Sequence, residues 1–444
     1  MATLDQIFTN TKLTENGDIT YSSTGNHLLD LLFMTEYYQN HLDEVTIGDS
    51  NRERLFSMFV RDPRYGLGKR DLGRRLMKLS DCSPWAVTKA GRYDDVFECC
   101  DRESAFGYVA EQIREGNELA KKWAPRYSSK NLLLARDFAK YLGLNKQQYG
   151  KFVKAKTVER CLSSKNTGII EFEHVPSLAM IKYYKRFYTK EDTSLRFKRY
   201  LEDVKEGKKD LKVSTTSVYD IYRNRMSIDP DLFFDKIEKI AISCVPIVDS
   251  SGSMQDSNDS YGKAMAIGHY LAKCSTYAPD KVVSFSSFPQ LLTLGESNLV
   301  RGGWRSDREI RQNLPNTESR YLREIASMHT GDCSNTDFGA VMELFKGVTE
   351  LPEYLVVLSD MEFDRGSKMS KDELSALWAR KGYTTKIVWW NLNARHTTAP
   401  EIDEDGNIFM SGYNPMLLKF LEAGFDGEKF LDKLLDEYKK AIGK

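Results

Sequence analysis

Residues 240–254 read IAISCVPIVDSSGSM, and this stretch decides the fold of the C-terminal half of the chain. The segment Ile240–Val248 is a continuous apolar run of strand length, typical of a strand buried on both faces of a parallel sheet. Asp249, Ser251 and Ser253 follow it at alternate positions. Because ligands of open α/β sheets bind at the carboxyl ends of strands, this spacing predicts three oxygen ligands that face one point there.

Strand-like and helix-like segments alternate downstream of this stretch. Apolar runs of strand length lie at Val282–Phe285, Gln290–Leu294, Tyr354–Leu358 and Thr385–Trp390. Helical patterns lie at Tyr261–Ser275, Phe338–Phe345, Lys371–Arg380, Met416–Phe420 and Gly427–Ile442. This alternation predicts an α/β domain built around a largely parallel sheet.

Two later loops fall at equivalent edges of the predicted sheet. Thr336 precedes a predicted helix, and Asp360 follows a predicted strand, so the loops add one hydroxyl and a second carboxylate. Hard divalent cations prefer oxygen ligands in near-octahedral geometry. The sequence therefore predicts a site for Mg²⁺ or Mn²⁺ that is formed by Asp249, Ser251, Ser253, Thr336 and Asp360.

The order Asp-x-Ser-x-Ser, then Thr, then Asp resembles the metal-ion-dependent adhesion site of von Willebrand factor type A domains. The resemblance implies a Rossmann-like domain in which Asp360 acts through water. It also implies direct contacts to the metal from Asp249, Ser251, Ser253 and Thr336. The alternative is a metal-free loop of turn-forming Ser and Asp residues on the same fold.

The first half of the chain has the pattern of successive helices. Apolar residues recur at helical spacing over Asn26–Gln39, Asn51–Val60, Asp71–Leu79, Ser104–Leu119, Lys130–Leu142, Pro176–Phe187 and Ser194–Val204. Short connectors and the lack of strand patterns predict an all-α, HEAT-like array of irregular helical repeats, although a compact helical domain gives the same pattern. We place an N-terminal extension at 1–25, the helical module at 26–235 and the α/β domain at 236–444, with a link at Asp229-Pro230-Asp231.

The composition is that of a globular protein. The 444 residues are 41% hydrophobic and 29% charged, which excludes a disordered chain or a disulfide scaffold. Seven scattered cysteines without zinc spacing predict free thiols. No apolar run reaches the roughly 20 residues of a membrane span, and the N-terminus lacks the pattern of a signal peptide. We therefore expect a cytoplasmic protein without membrane contact.

The net charge of zero conceals a strong segregation of charge. Residues 51–226 carry 38 Lys and Arg against 23 Asp and Glu, a net charge of +15. The remainder therefore carries −15. Basic helix faces that are merely solvated are one explanation, and a surface for a polyanion is the other.

Several blocks of sequence resemble the Ro autoantigen family, which contains the TROVE module, and a poorly characterised domain family related to it. The blocks are GLGKRDLGRRLM (66–77), GRYDDVFECC (91–100), KKWAPR (121–126), IIEFEHVPSLAMIKYYKRF (169–187), RFKRYLEDVKEGKK (196–209), LSDMEFD (358–364) and VWWNLNAR (388–395). The resemblance implies a ring of helical repeats that is closed by an A domain and binds noncoding RNA. Single-stranded ends enter the basic hole of such a ring. The stretch after Lys205 departs from this pattern, so the family's RNA-contact residues are not transferable.

Three basic clusters in the helical half are candidates for RNA binding. They consist of Lys69, Arg70, Arg74 and Arg75; Lys151, Lys154 and Lys156; and Lys182, Lys185 and Arg186. Lys and Arg neutralise phosphates and supply most nonspecific affinity for nucleic acids. Tyr183, Tyr184 and Phe187 interleave with the third cluster, where they are either stacking platforms for bases or part of a helix core.

Catalytic patterns are weak throughout the chain. The six histidines form no His-Glu-x-x-His motif, and residues 250–253 do not form the Gly-x-Ser-x-Gly elbow of a hydrolase. The leading interpretation is a non-catalytic RNA-binding protein that forms a ribonucleoprotein. The alternative is a scaffold whose metal captures an acidic residue of a protein partner, without RNA.

Overall fold

The computed structural model describes the greater part of the chain, and it divides the chain into two compact units. The described residues are 11–13, 19–21, 26–33, 35–128, 130–155, 157–213, 216–256, 258–285, 288–301, 309–331, 338–345, 348–360, 378, 380, 382–393, 401–402, 407–413 and 427–443. The helical unit comprises Tyr37–Thr215 and Glu428–Lys444, and the sheet unit comprises Met1–Glu36 and Thr216–Gly427. None of the helices in these ranges is both long and apolar enough to cross a bilayer.

Helices dominate the described chain as far as Asp235, which confirms the predicted all-α character of this half. The antiparallel strands β1 (Thr11–Leu13) and β2 (Ile19–Tyr21) come first. The helices that follow are α1 (His27–Phe33), α2 (Thr35–Asn40), α3 (Asn51–Arg61), α4 (Arg70–Leu79), α5 (Pro84–Ala90), α6 (Tyr93–Cys99), α7 (Arg102–Arg114), α8 (Glu118–Trp123), α9 (Leu132–Tyr141), α10 (Lys146–Phe152), α11 (Val158–Ser163), α12 (Ser177–Thr189), α13 (Glu191–Lys205), α14 (Val218–Asn224) and α15 (Pro230–Asp235).

Local sequence signals set the ends of these helices. At the start of α3, Ser50 and Glu53 form a capping box, in which each side chain accepts a hydrogen bond from the backbone N–H of the other residue. The single helix predicted over 104–119 is wrong. Helix α7 ends at Arg114, and Gly116 adopts a φ of +88°, the left-handed conformation that terminates helices.

A buried ion cluster joins α3, α4 and α6 inside the helical unit. The fully buried carboxylate of Asp95 lies 2.5 Å from Nη2 of Arg61 and 2.5 Å from Nε of Arg74. It also accepts a hydrogen bond from the backbone N–H of Arg92, at 2.8 Å. The two helices α3 and α4 approach closely because position 73 is glycine: a Cβ there would lie 2.6 Å from Cα of Arg61.

The rest of the chain alternates strands and helices. In order these are β3 (Cys244–Asp249), α16 (Ser260–Cys274), β4 (Lys281–Phe285), β5 (Gln290–Thr293), β6 (Leu299–Arg301), β7 (Glu309–Arg311), α17 (Arg320–Ser327), α18 (Phe338–Leu344), β8 (Tyr354–Ser359), β9 (Lys386–Asn391), β10 (Glu401–Ile402), β11 (Ile408–Ser411) and α19 (Gly427–Ile442). The helix predicted at Met416–Phe420 lies outside the described residues. So does the one at Lys371–Arg380, apart from residues 378 and 380.

Seven of the described strands form one sheet in the order β10-β11-β9-β8-β3-β4-β5. The five central strands are parallel, and β10 and β5 pair antiparallel at the two edges. Every residue of β3 and β8 is buried, as expected for strands covered on both faces. The predicted combination of an all-α part and an α/β part is therefore confirmed.

Packing on the sheet depends on close approach of α16 and α18. Phe338 of α18 lies with its ring centroid 4.8 Å from that of Trp389, in a core that includes Ile247 and Val357. On α16, a Cβ at Gly268 would lie 2.5 Å from a methyl group of Val248. This contact places α16 directly against β3, the strand that leads into the predicted metal loop.

Helices α14 and α15 belong to the sheet unit, whereas the sequence analysis ended the helical module at residue 235. The backbone N–H of Tyr321 donates to Asp231 at 2.7 Å, and Arg320 lies 2.5 Å from Asp235. The predicted link at 229–231 is instead the start of a helix. Asp229 caps α15, and Pro230 fits its first turn, where no backbone N–H is needed.

Helix α19 belongs to the helical unit, although the sequence analysis placed it in the domain at 236–444. The ring of Tyr438 lies 5.5 Å from that of Phe59, and its hydroxyl donates to Asp62 at 3.3 Å. Arg52 pairs with Glu428 at 3.1 Å and with Asp432 at 2.9 Å. The end of the chain thus returns to α3, and the helical unit is made of two separate segments.

The six described cysteines are free thiols, as predicted. The pKa of Cys100 is raised to about 12, mainly by burial of its thiol. A thiol with a raised pKa is a poor nucleophile at neutral pH, so Cys100 serves packing rather than chemistry.

We predict that Leu431→Ala in α19 destabilises the helical unit and not the sheet unit. Leu431 is fully buried, and truncation of such a leucine costs about 2–5 kcal/mol. Hydrogen exchange should show faster exchange in α3, while β3 and β8 keep their protection. Lys433→Ala, an exposed position on the same helix, is the control and should change neither. Loss of protection confined to β3 and β8 would contradict the assignment of α19.

A buried histidine provides a second prediction for the fold. His269 of α16 places Nε2 2.7 Å from Glu324 of α17, and Lys273 and Arg320 also approach this carboxylate. Burial lowers the pKa of His269 below its usual 6.5. Burial opposes ionisation of Glu324, but hydrogen bonds from His269 and Lys273 prevail and lower its pKa. Neutral His269 therefore donates to an ionised Glu324.

Both shifts make the sheet unit less stable in acid. Below about pH 6.5 the unfolded chain binds a proton at His269 that the folded protein resists, so stability falls by at most about 1.4 kcal/mol per pH unit for this group. His269→Gln keeps a donor for Glu324 without a titrating ring, and it should flatten the decrease in urea-unfolding free energy between pH 7 and pH 5. His27→Gln, at an exposed position of the same unit, is the control. An unchanged slope in His269→Gln would contradict this assignment.

Candidate metal centre and basic surface

The predicted metal loop begins where β3 ends, beside β8. These strands pair in parallel with Val248 opposite Leu358, so Asp249 and Ser359 are adjacent at the carboxyl edge of the sheet. Asp249 is fully buried. Its carboxylate accepts hydrogen bonds from the backbone N–H of Ser251 at 2.9 Å and from the hydroxyl of Ser359 at 2.6 Å. These bonds fix the orientation of the carboxylate within the loop.

The two serine hydroxyls of the motif lie together. Oγ of Ser251 is 3.1 Å from Oγ of Ser253. Ser251 is buried and Ser253 is exposed, so the loop runs from the core to the surface within three residues. A short 3₁₀ turn at Gly252–Met254 produces this geometry.

A second carboxylate lies near Asp249. Asp360 follows β8 and is buried, and its charge acts on Asp249. Burial raises the pKa of Asp249 to about 6. Hydrogen bonds from Ser359 and Ser251 lower this pKa, and the charge of Asp360 raises it. Two buried carboxylates and two hydroxyls at one sheet edge are a donor set that fits a hard divalent cation, because a cation offsets the cost of burying both charges.

This set differs from the predicted one at two residues. Thr336, the predicted fourth direct ligand, lies outside the described residues. Ser359 was not predicted, although it binds Asp249 directly. Its position as the last residue of a buried strand, immediately before Asp360, was the available signal. Within the described part of the chain, no group of three or more His, Cys, Asp or Glu side chains is arranged to hold a metal ion.

The first predicted basic cluster is largely engaged in ion pairs. Arg74 is mostly buried and contacts Asp95, Glu98 at 2.9 Å and Asp94 at 3.1 Å. Burial opposes the charge of Arg74, but these carboxylates prevail and raise its pKa. Arg70 lies 2.8 Å from Asp94. Lys69 and Arg75 are half-buried. This geometry favours a structural role for Arg74 and Arg70.

Lysines of the other two clusters are placed differently. Lys151, Lys154, Lys182 and Lys185 are exposed, and none has an ion pair with a carboxylate among the described residues. Lys156 lies outside those residues. Arg186 forms a bidentate pair with Asp192, at 2.8 and 2.9 Å. The four exposed lysines are therefore the predicted RNA-binding residues that remain available to a polyanion.

The aromatic set beside the third cluster is divided between core and surface. Tyr184 and Phe187 are buried and pack on Phe197 of α13, at centroid distances of 5.2 and 5.4 Å. Tyr183 is half-buried, with Nζ of Lys182 5.2 Å from its ring. The helix-core interpretation therefore holds for two of the three rings.

The chain thus combines a basic helical unit with a sheet unit that carries carboxylate and hydroxyl oxygens at its carboxyl edge. Residues 77–222 match a family described as a domain of unknown function, DUF2828. Residues 243–441 match a second domain of unknown function, DUF7788. Neither description names an activity or a von Willebrand factor A domain.

Comparisons with whole proteins add a structural likeness. No curated protein matches the chain. Among solved structures, the chain is similar to the Ro (RSR) protein of Deinococcus radiodurans, with 10% identity and a TM-score of 0.43 over 92% of this chain and 94% of that chain.

Proposed function

We propose that this chain is a non-catalytic, Ro-like RNA-binding protein of the cytoplasm, in which the helical unit binds single-stranded or noncoding RNA as a ribonucleoprotein. The observation that carries the proposal is the division of charge between the two units. The helical unit contains 41 Lys and Arg against 29 Asp and Glu, a net charge of +12. The sheet unit contains 23 against 35, a net charge of −12. An excess of cations confined to one unit is the electrostatic pattern of a polyanion-binding surface.

The residues that support RNA binding are the exposed lysines rather than the arginines. Lys151, Lys154, Lys182 and Lys185 present ammonium groups to solvent. Such groups neutralise phosphates as point charges, with little preference for sequence. Arg74 is left out of the binding surface in this proposal because its donors already bind three carboxylates.

The sheet unit is proposed to hold one Mg²⁺ or Mn²⁺ in the manner of an adhesion site. Asp249, Ser251, Ser253 and Thr336 would hold the ion directly, and Asp360 would act through water. The buried pair of carboxylates supports this assignment. When bound, the ion supplies a Lewis-acidic position for an oxygen ligand from another molecule.

A metal-dependent protein scaffold is the second candidate function. The exposure of Ser253 favours it, because the loop is open to solvent beside one of the proposed ligands. A partner's Asp or Glu side chain would complete the coordination of the metal. In this case association would require the metal and would be independent of RNA.

We predict that affinity for single-stranded RNA falls steeply with salt and depends on the exposed lysines. The logarithm of the affinity should fall linearly with the logarithm of salt, with a slope of about −0.7 per neutralised phosphate. Lys182→Glu with Lys185→Glu should weaken binding and make the slope shallower by about 1.4, since two contacts are lost. Fluorescence anisotropy with a labelled oligonucleotide measures both effects.

The matched control reverses the charge of two other exposed lysines of the helical unit. Lys433→Glu with Lys439→Glu on α19 changes the net charge equally, but these lysines lie among acidic residues of that helix. Affinity should change little. Equal losses in the two double variants would show that net charge, and not the α12 surface, determines binding.

We predict that Mg²⁺ binds once to the wild-type protein and stabilises it, and that Asp249→Ala abolishes both effects. Binding to the folded state alone adds about 2.7 kcal/mol of stability when Mg²⁺ is at one hundred times its Kd. Calorimetric titration and thermal unfolding with and without Mg²⁺ measure the two effects. Glu296→Ala, which removes an exposed carboxylate of the same unit, should behave as wild type. Stoichiometric metal on Asp249→Ala would refute the assignment.

A further inference from the structure

Two exposed aromatic residues of the helical unit flank a pair of cations. Trp85 at the start of α5 is 57% exposed, and Tyr65 in the loop between α3 and α4 is 50% exposed. Nζ of Lys89 lies 5.5 Å from the ring of Trp85, and the guanidinium carbon of Arg64 lies 5.6 Å from the ring of Tyr65. Arg64 also donates a hydrogen bond to the backbone carbonyl of Lys89. The contacts therefore run from Tyr65 through Arg64 and Lys89 to Trp85.

The loop that carries Tyr65 is held rigidly by its own backbone. The N–H groups of Gly66 and Gly68 donate to the carbonyl of Asp62, and that of Leu67 donates to Phe59. A Cβ at Gly66 would lie 1.9 Å from the carbonyl oxygen of Phe59, so only glycine permits this close approach. The exposed ring of Tyr65 is thus carried by an ordered backbone instead of a loose loop.

Trp85 is also held by a fixed element. Ser83 caps α5, and Pro84 begins it. The hydroxyl of Thr88 donates to the carbonyl of Trp85 at 3.0 Å and lies 2.9 Å from the hydroxyl of Tyr108 on α7. Helix α5 is therefore anchored on the α7 side, while Trp85 remains in solvent. An aromatic ring that is ordered before binding loses little conformational entropy when it is covered.

The two cations differ in how far their charge is compensated. Arg64 is bound by the buried carboxylate of Asp62, at 3.3 Å from each oxygen. Lys89 has no ion pair with a carboxylate among the residues described. The net positive charge of this group is therefore that of Lys89, which lies between the two rings in the order of contacts.

We propose that Tyr65, Arg64, Lys89 and Trp85 form a stacking surface for single-stranded RNA, in which bases stack on Trp85 and Tyr65 and a backbone phosphate binds Lys89. The inference rests on the proposed RNA-binding function and names the residues that contact bases. Stacking on aromatic rings beside cations is how proteins bind single strands without reading their sequence. The helical unit has a net charge of +12. This charge favours a polyanion as the molecule bound here, rather than a protein with few acidic residues.

The test separates contacts to bases from contacts to phosphate. Wild type and variants are titrated with labelled oligoadenylate and, in competition, with inorganic polyphosphate, which has charge but no bases. Trp85→Ala and Tyr65→Ala should each weaken oligoadenylate binding about tenfold and leave polyphosphate binding unchanged, because only stacking is lost. Lys89→Ala should weaken both. Trp85→Phe should retain most of the affinity for oligoadenylate.

Controls keep failure of this surface distinct from failure of the proposed function. Tyr141→Ala removes a tyrosine that is equally exposed on α9 and should have no effect on either ligand. Circular dichroism and melting curves confirm that each variant is folded. If wild type binds oligoadenylate while Trp85→Ala and Tyr65→Ala bind it equally well, the stacking surface is overturned and RNA binding stands. Equal losses of oligoadenylate and polyphosphate binding in Trp85→Ala and Tyr65→Ala also overturn stacking. If wild type binds neither ligand at low salt, the proposed function fails as well.

Discussion

The buried carboxylate of Asp95 is the interaction on which the helical unit depends. It binds Arg61 of α3 and Arg74 of α4 at 2.5 Å each, and all three side chains are shielded from water. Removal of one member of such a group leaves an uncompensated buried charge, which costs about 3–5 kcal/mol. Because α3 is fixed in this way, the residue after Arg61, Asp62, is fixed too. Asp62 in turn holds Arg64 and Tyr438, so the aromatic loop and the C-terminal helix both depend on the same cluster.

This cluster gives a physical meaning to two of the sequence blocks that resemble the Ro-related family. The block at 66–77 contributes Gly73 and Arg74, and the block at 91–100 contributes Asp95. The two blocks meet inside the helical unit, where glycine permits close contact of α3 and α4 and the ions hold α6. Their residue types are explained by packing. They therefore indicate how this unit folds, and they are not by themselves evidence for RNA contacts.

Features determined by short stretches of sequence were predictable. The apolar run before Asp249 and the spacing of Ser251 and Ser253 are local, and the strand, the turn and the paired hydroxyls follow from them. The position of α19 was not predictable in this way. Its contact to α3 joins Tyr438 to Asp62, 376 residues apart, and nothing in an amphipathic pattern indicates which surface the helix covers. The short helices α5, α6, α10, α11, α14 and α15 were missed because six or seven residues contain too few turns for a periodic pattern.

The role of each basic residue also could be assigned only from the structure, and arginine and lysine are used differently. Most of the arginines that were considered are bound within the protein: Arg61 and Arg74 by carboxylates, Arg64 by a carboxylate and a carbonyl, and Arg186 by Asp192. A planar guanidinium with five donors suits such fixed pairing.

The exposed cations of the helical unit are mainly lysines. The flexible, hydrated ammonium groups of lysine bind phosphate as point charges. A surface of this kind supplies affinity without base recognition, because contacts between ammonium groups and phosphates carry no sequence information. If this unit discriminates among RNAs, it therefore does so by strandedness, because the bases of a single strand can stack on exposed rings and the paired bases of a duplex cannot. Such selection requires exposed rings on an ordered backbone. Trp85 and Tyr65 meet that requirement because their backbones are already ordered while their rings remain in solvent.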